Sequence, residues 1–105
     1  MTESTIRVKV RDWVGERGAL EPSAATRLAQ HVVEKRSVVG RLVLDFAGVG
    51  TISSGFANEL FLTLAQVRPL DEWRQFLEFT GLASSQAQVI TKSLHAARRL
   101  AQKSP

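Results

Sequence analysis

The stretch Leu42-Val43-Leu44-Asp45-Phe46-Ala47-Gly48-Val49-Gly50-Thr51-Ile52-Ser53-Ser54-Gly55-Phe56-Ala57-Asn58-Glu59-Leu60-Phe61 decides how this chain is read. It opens with a short, nearly continuous apolar run broken only by Asp45. Such a run fits a strand covered on both faces, as in a largely parallel sheet. Gly48 and Gly50 then open a loop. Ser53 and Ser54 carry oxygens that can accept from the free N–H groups of a helix start. Behind them Phe56, Ala57, Leu60, Phe61, Leu64 and Val67 recur at helical spacing until Pro69.

The flanks continue the alternation. Toward the N-terminus, Ile6, Val8 and Val10 alternate with Arg7 and Lys9, the period-two pattern of a half-buried strand near a sheet edge or under one layer. Residues 11–21 hold Asp12, Gly15 and Gly18 without sustained periodicity, and read as a loop with a short strand around Trp13 and Val14. Pro22 suits the first position of a helix, with Ser23 as an alternative cap, and Ala25, Leu28, Ala29, Val32 and Val33 form its apolar side to near Ser37. Toward the C-terminus, Phe76, Leu77 and Phe79 suggest a third main strand over 74–80, although Asp71 and Glu72 would also suit a helix start. After Gly81, Ser84 and Ser85 offer another cap. The last helix sets Val89, Ile90, Leu94, Ala97 and Ala101 against Lys92, His95, Arg99 and Lys103. The order strand, helix, strand, helix, strand, helix predicts an α/β fold. We expect a small mixed or mainly parallel sheet of about four strands with helices packed on it, in one domain over 1–105.

The central segment resembles the STAS-like family of bacterial domains. In that family an apolar strand ends in Asp-Phe, a Val follows, then Ile-Ser-Ser, then Phe-Ala-Asp-Glu-Leu. The wider STAS family, which includes the anti-sigma factor antagonists, is similar in the same place. There an Asp-Ser pair opens the helix, and its Ser is phosphorylated in a partner switch. Laid on this chain, the strand-end Asp falls on Asp45, the Val on Val49 and the pair on Ser53-Ser54. Ser53 stands where the wider family has Asp, and Gly55 and Asn58 where the closer family has Ser and Asp. The resemblance implies a regulatory protein-interaction module whose partner is a histidine-kinase-like ATPase or another signalling protein. Its phosphoacceptor would be Ser54, with Ser53 as the neighbouring candidate. The contact surface would cover 48–64, with Asp45, Gly48, Val49, Gly50, Thr51, Ser53, Ser54, Gly55, Asn58 and Glu59. Physical chemistry gives Ser54 its own case, because a helix N-terminus presents unpaired N–H groups and accommodates a phosphate. The plain alternative is that either serine is only a cap. Asp45 has a similarly plain reading, a hydrogen bond to the loop that follows it. Glu59 would complement the helix dipole or pair with a basic residue near the loop.

Composition bounds the remaining classes. The chain has 105 residues, 44% of them hydrophobic, enough for one packed core. With no cysteine there is no disulfide or thiolate metal site, which fits a cytoplasmic protein. We expect no signal peptide and no membrane span. His31 and His95 fall on separate helices and give no metal-ligand spacing, so neither a metal nor a cofactor is expected. Gly48-Val49-Gly50 lacks the third glycine of a dinucleotide fingerprint and the Gly-Lys-Ser/Thr of a P-loop. No acid, base and nucleophile assemble, so the chain reads as a non-enzyme. The formal net charge is +4, and after Glu78 the charged residues are Lys92, Arg98, Arg99 and Lys103. These four are the basis of the second reading, a small nucleic-acid-binding factor, for which they make a thin electrostatic footprint.

Overall fold

In the computed structural model, the described residues are 4–15 and 18–103, with the side chains of 18–19 and 101–103 outside the description. Three strands form the main sheet: β1 (Thr5–Lys9), β3 (Arg41–Asp45) and β5 (Leu77–Thr80). Their order is β1-β3-β5 and both pairings are parallel. A separate two-residue parallel pair joins β2 (Gly18–Ala19) to β4 (Thr51–Ile52). The helices are α1 (Arg11–Val14), α2 (Pro22–Lys35), α3 (Ser54–Val67), α4 (Leu70–Phe76) and α5 (Ser84–Lys103). The α/β class and the parallel sheet agree with the sequence. The expected four strands resolve into a three-stranded sheet and this short pair.

Register explains the burial. Ile6, Leu42 and Leu77 form one row across the sheet, and Val8, Leu44 and Phe79 the next. Both rows face the core, where Leu42 and Leu44 are fully buried. The opposite face carries the rows Arg7, Val43, Glu78 and Lys9, Asp45, Thr80. Arg7, Lys9 and Glu78 there are exposed. Val43 is only 7% exposed yet stands outside the core cluster. The apolar run of β3 is therefore not a strand covered by helices on both faces. Its central position lets the flanking Arg7 and Glu78 side chains shield Val43, while the helix layer packs on the other side. β1 is the edge strand that its alternation suggested.

Helices α2, α3 and α5 form that layer. Ala25, Leu28, Ala29 and Val32 of α2, and Phe56, Ala57, Leu60 and Leu64 of α3, are buried. Alanines on α2 and Ala57 on α3 allow the close approach. Pro22 is the first residue of α2 and Glu21 holds the cap position, so Ser23 is not the cap. α2 ends at Lys35, close to the predicted Ser37.

Two segments depart from the sequence reading. Trp13 and Val14 are helical, because Val14 N–H bonds the Val10 carbonyl in a single turn at 3.1 Å. The Trp13 ring then packs 4.8 Å from the His31 ring of α2. The expected strand over 74–80 begins only at Leu77, since α4 takes its first half. Leu70, Trp73 and Phe76, at intervals of three, are buried, and Asp71 and Glu72 complement the dipole of the first turn. Trp73 Nε1 also donates to the Leu64 carbonyl at 2.7 Å, a second bond to an acceptor that already takes the Arg68 N–H at the end of α3. None of the described helices is long and apolar enough to cross a membrane.

Candidate functional site

Because β1, β3 and β5 are parallel, Lys9, Asp45 and Thr80 end on one edge of the sheet. The loop 46–53 leaves from that edge; its ends Phe46 and Ile52 enter the core, and four further side chains anchor it.

Asp45 is the first. Its Oδ1 accepts from Ala47 N–H at 2.9 Å, the bond to the following loop that its strand-end position suggested. Its Oδ2 accepts from Arg7 Nη1, also at 2.9 Å, across the β1–β3 pairing. The Ala47 N–H, and after it the Arg7 guanidinium, hold the carboxyl below its ordinary value of 3.8. Gly81, at φ +75°, backs the group. A Cβ there would stand 2.6 Å from the Ala47 nitrogen and 2.8 Å from Asp45 Oδ1, so no other residue fits without moving backbone.

Val49 is the second anchor. It is 7% exposed and belongs to the core cluster, so its side chain fixes the loop from below. Gly48, Gly50 and Thr51 are exposed. Gly48 also has a positive φ, but a Cβ there would meet only the flexible Arg11 side chain, at 3.2 Å.

Gln86 of α5 is the third, and the sequence reading missed it. Its Nε2 donates to the carbonyl of Val49 at 2.9 Å and also to that of Gly50. Its Oε1 accepts from Ala83 N–H at 2.8 Å. The last bond is half of a capping box, in which the third helical residue reaches back to the cap residue. Ala83, not Ser84 or Ser85, holds that cap position, since its carbonyl accepts the first helical bond from Ala87. A Gln three residues after Ala83 signals the capping role; its grip on a loop 37 residues away has no local signature.

Ser53 is the fourth. Its Oγ accepts from Phe56 N–H at 3.0 Å and donates to the Leu20 carbonyl at 2.9 Å. It is therefore the N-cap of α3, and it also ties this helix to the segment entering α2. Ser54 is the first residue of α3 and is exposed. Among the described residues its hydroxyl has no hydrogen-bond partner. Gly55 lies beside Pro22, with room for a Cβ at 3.7 Å. Exposed Leu20, Pro22, Ser54, Gly55 and Asn58 thus surround two adjacent helix starts. Glu59 is bonded within its own helix, its Oε2 accepting from Thr63 at 2.9 Å, and makes no ion pair among the described residues.

The other candidates lie apart from this loop. Lys92 and Arg99 are exposed on α5, Arg98 pairs with Asp71 at 2.9 Å, and the Lys103 side chain lies outside the described residues. Among the described residues no three acidic or imidazole groups converge as a metal site.

The glycine loop between the central parallel strand and the serine-capped helix lies within the segment that the family comparison matches. Residues 24–87 match the STAS-like domain of unknown function (DUF4325). Comparison with curated proteins finds no match, and comparison with solved structures finds none. The family match runs from the first turn of α2 to the first turn of α5 and covers more than half of the 105 residues; the chain belongs to this STAS-like family.

Proposed function

We infer that the domain is a non-catalytic regulatory module of the anti-sigma factor antagonist kind. It docks a signalling protein, a histidine-kinase-like ATPase by family resemblance, through 48–64. The observation that carries this reading is the division of labour between two adjacent serines. Ser53 uses its hydroxyl twice to hold the helix start, whereas Ser54 presents beside it an exposed hydroxyl with no partner among the described residues. In the mechanism we propose, the partner transfers the terminal phosphoryl group of ATP to Ser54 Oγ and releases ADP. The phosphate brings roughly −1.5 to −2 charges to the docking face. The backbone N–H groups of Ser54 and Gly55, which have no carbonyl partner within α3, favour that charge locally. Covering it with a partner would strip its water, so the modified form releases. Ser53 keeps α3 capped throughout, and the domain stays folded.

The test compares affinity capture by wild type, Ser54→Ala and Ser54→Asp, with urea melts of Ser53→Ala and Ser54→Ala alongside. An ATPase held by wild type and Ser54→Ala but lost by Ser54→Asp is the expected result. Identical capture by all three would sink the switch. In the melts, Ser53→Ala should lose about 1 kcal/mol as a cap, and Ser54→Ala less than about 0.5 kcal/mol.

A further inference from the structure

The two ends of the domain differ in charge. Helices α2 and α3 have 14 residues each and start side by side, since a Cβ at Gly55 would stand 3.7 Å from Pro22. Their ends are therefore also level, about 21 Å from the starts. The starts of the parallel strands lie at that same end, where the Gly40 and Arg41 N–H groups bond the Ser4 carbonyl ahead of β1. Helix α5 runs the same way as α3, from Gln86 at the loop to Arg98, which pairs with Asp71 just past the end of α3. The end opposite the loop 46–53 thus gathers the turn 36–40, the segment 67–69, the last turn of α4 and the later turns of α5.

The charges at this end do not cancel. Arg68 pairs with Glu72 at 3.7 Å and Arg98 with Asp71 at 2.9 Å. That leaves five cations, Lys35, Arg36, Arg41, Arg74 and Arg99, against Glu34, a local surplus of four. The formal charge of the whole chain is also +4, so all its other charged residues sum to zero. Arg36 lies over the Phe76 ring, 5.3 Å from its centroid. Among the described residues Lys35, Arg41, Arg74 and Arg99 make no ion pair or hydrogen bond. Cations at the ends of α2 and α4 complement the helix dipoles, which accounts for part of the surplus. It does not account for the apolar side chains raised among them. Of the four large hydrophobics exposed among the described residues, three are here: Val38 at 68%, Val67 at 52% and Leu100 at 55%. Phosphates of a nucleic acid would gain nothing from these side chains. A surface that is anionic outside and hydrocarbon just beneath would engage both kinds.

We propose that this end of the domain binds the surface of an anionic phospholipid bilayer, with Lys35, Arg41, Arg74 and Arg99 at the headgroups and Val38, Val67 and Leu100 entering the interface. Each Lys or Arg close to such a surface raises partitioning about fivefold. The contact is peripheral, since none of the described helices is long and apolar enough to cross a membrane. Seated this way, the loop 46–53 faces away from the lipid at about the length of α3. The surface stands apart from the docking loop and does not depend on that reading.

The test is co-sedimentation with vesicles of phosphatidylcholine alone or of equal parts phosphatidylcholine and phosphatidylserine, with a mixed-sequence DNA duplex as a second anionic probe. Capture by the phosphatidylserine vesicles only, falling steeply with added salt, is expected. Arg41→Gln and Arg99→Gln, both surface changes, should each weaken it about fivefold. Arg27→Gln removes the same charge from an exposed site in the second turn of α2, more than a Debye length away, and should weaken it less than about twofold. Val38→Ser combined with Val67→Ser keeps every charge and should weaken it about tenfold in protein shown folded by circular dichroism. Absence of capture by phosphatidylserine vesicles overturns the proposal. Equal losses from Arg27→Gln and Arg41→Gln overturn it as well, because net charge alone would then be acting. Capture unaltered by the paired valine changes, with equal affinity for the duplex, overturns the lipid assignment in favour of a general polyanion site.

Discussion

The loop 46–53 and the corner 68–77 each reverse the chain beside α3, and they hold their shape by a different balance of means. The corner is held by burial: Leu70, Trp73 and Phe76 enter the core, and one indole N–H bonds to the end of α3. The loop also sends Phe46, Val49 and Ile52 into the core, but it depends in addition on polar groups that each bond two or three partners. Asp45, Gln86 and Ser53 supply these bonds. A buried anchor is indifferent to pH and salt and sensitive to lost volume. A polar anchor has the reverse sensitivities, and it leaves hydroxyls and amides near water, where a partner or a modifying enzyme can reach them. In one small domain the first kind of corner gives stability and the second gives an addressable surface.

The largest effect should come from attacking the corner. Trp73→Ala is expected to cost about 3–5 kcal/mol, enough to unfold many domains of this size, read as the shift of a urea melt. Loss of only the indole bond by Trp73→Phe should cost far less; equal losses would mean that the hydrogen bond, not the volume, holds the corner. Next come the two glycines with positive φ. Gly81→Ala adds a backbone collision to the conformational penalty and should cost about 2–4 kcal/mol, whereas Gly48→Ala meets side-chain and not backbone atoms and should cost about 1 kcal/mol. Similar costs at the two positions would show that the loop yields around Asp45 and is not held there. The smallest effect is at Asp45. Its folded-state pKa is lowered, so its contribution is present above the ordinary carboxylate range and is lost as pH falls through the folded value. The stability gap between wild type and Asp45→Asn should therefore be widest above about pH 5 and close toward pH 2. A gap independent of pH would show that the carboxylate charge is not what matters there.

These contrasts also explain what could be read from the sequence. Periodicity reports burial on one element, so β1, α2, α3 and α5 were legible from spacing alone. It failed at 70–80, where Phe76-Leu77-Phe79 carries a strand signal and Leu70-Trp73-Phe76 a helical one, and the chain uses both in succession. It failed at Trp13, in a single helical turn too short to show a period, whose ring packs against His31 of α2. Val43 looked doubly covered because an apolar residue is the same letter whether a helix or two charged neighbours shield it. Around the site, Asp45 and the serines were found from their place between strand and helix. Which serine caps depends on the phase of α3, and Gln86 depends on where α5 lies in space.

Gln86 couples the middle of the matched family segment, at the loop, to its C-terminal end. The same amide that holds the carbonyls of Val49 and Gly50 also closes the start of α5 at Ala83. A force that lifts the loop from this side chain frees an arm that the first turn of α5 relies on for its fixed direction. One side chain thus holds both the loop and the start of α5, so a change at Gln86 would loosen the two together.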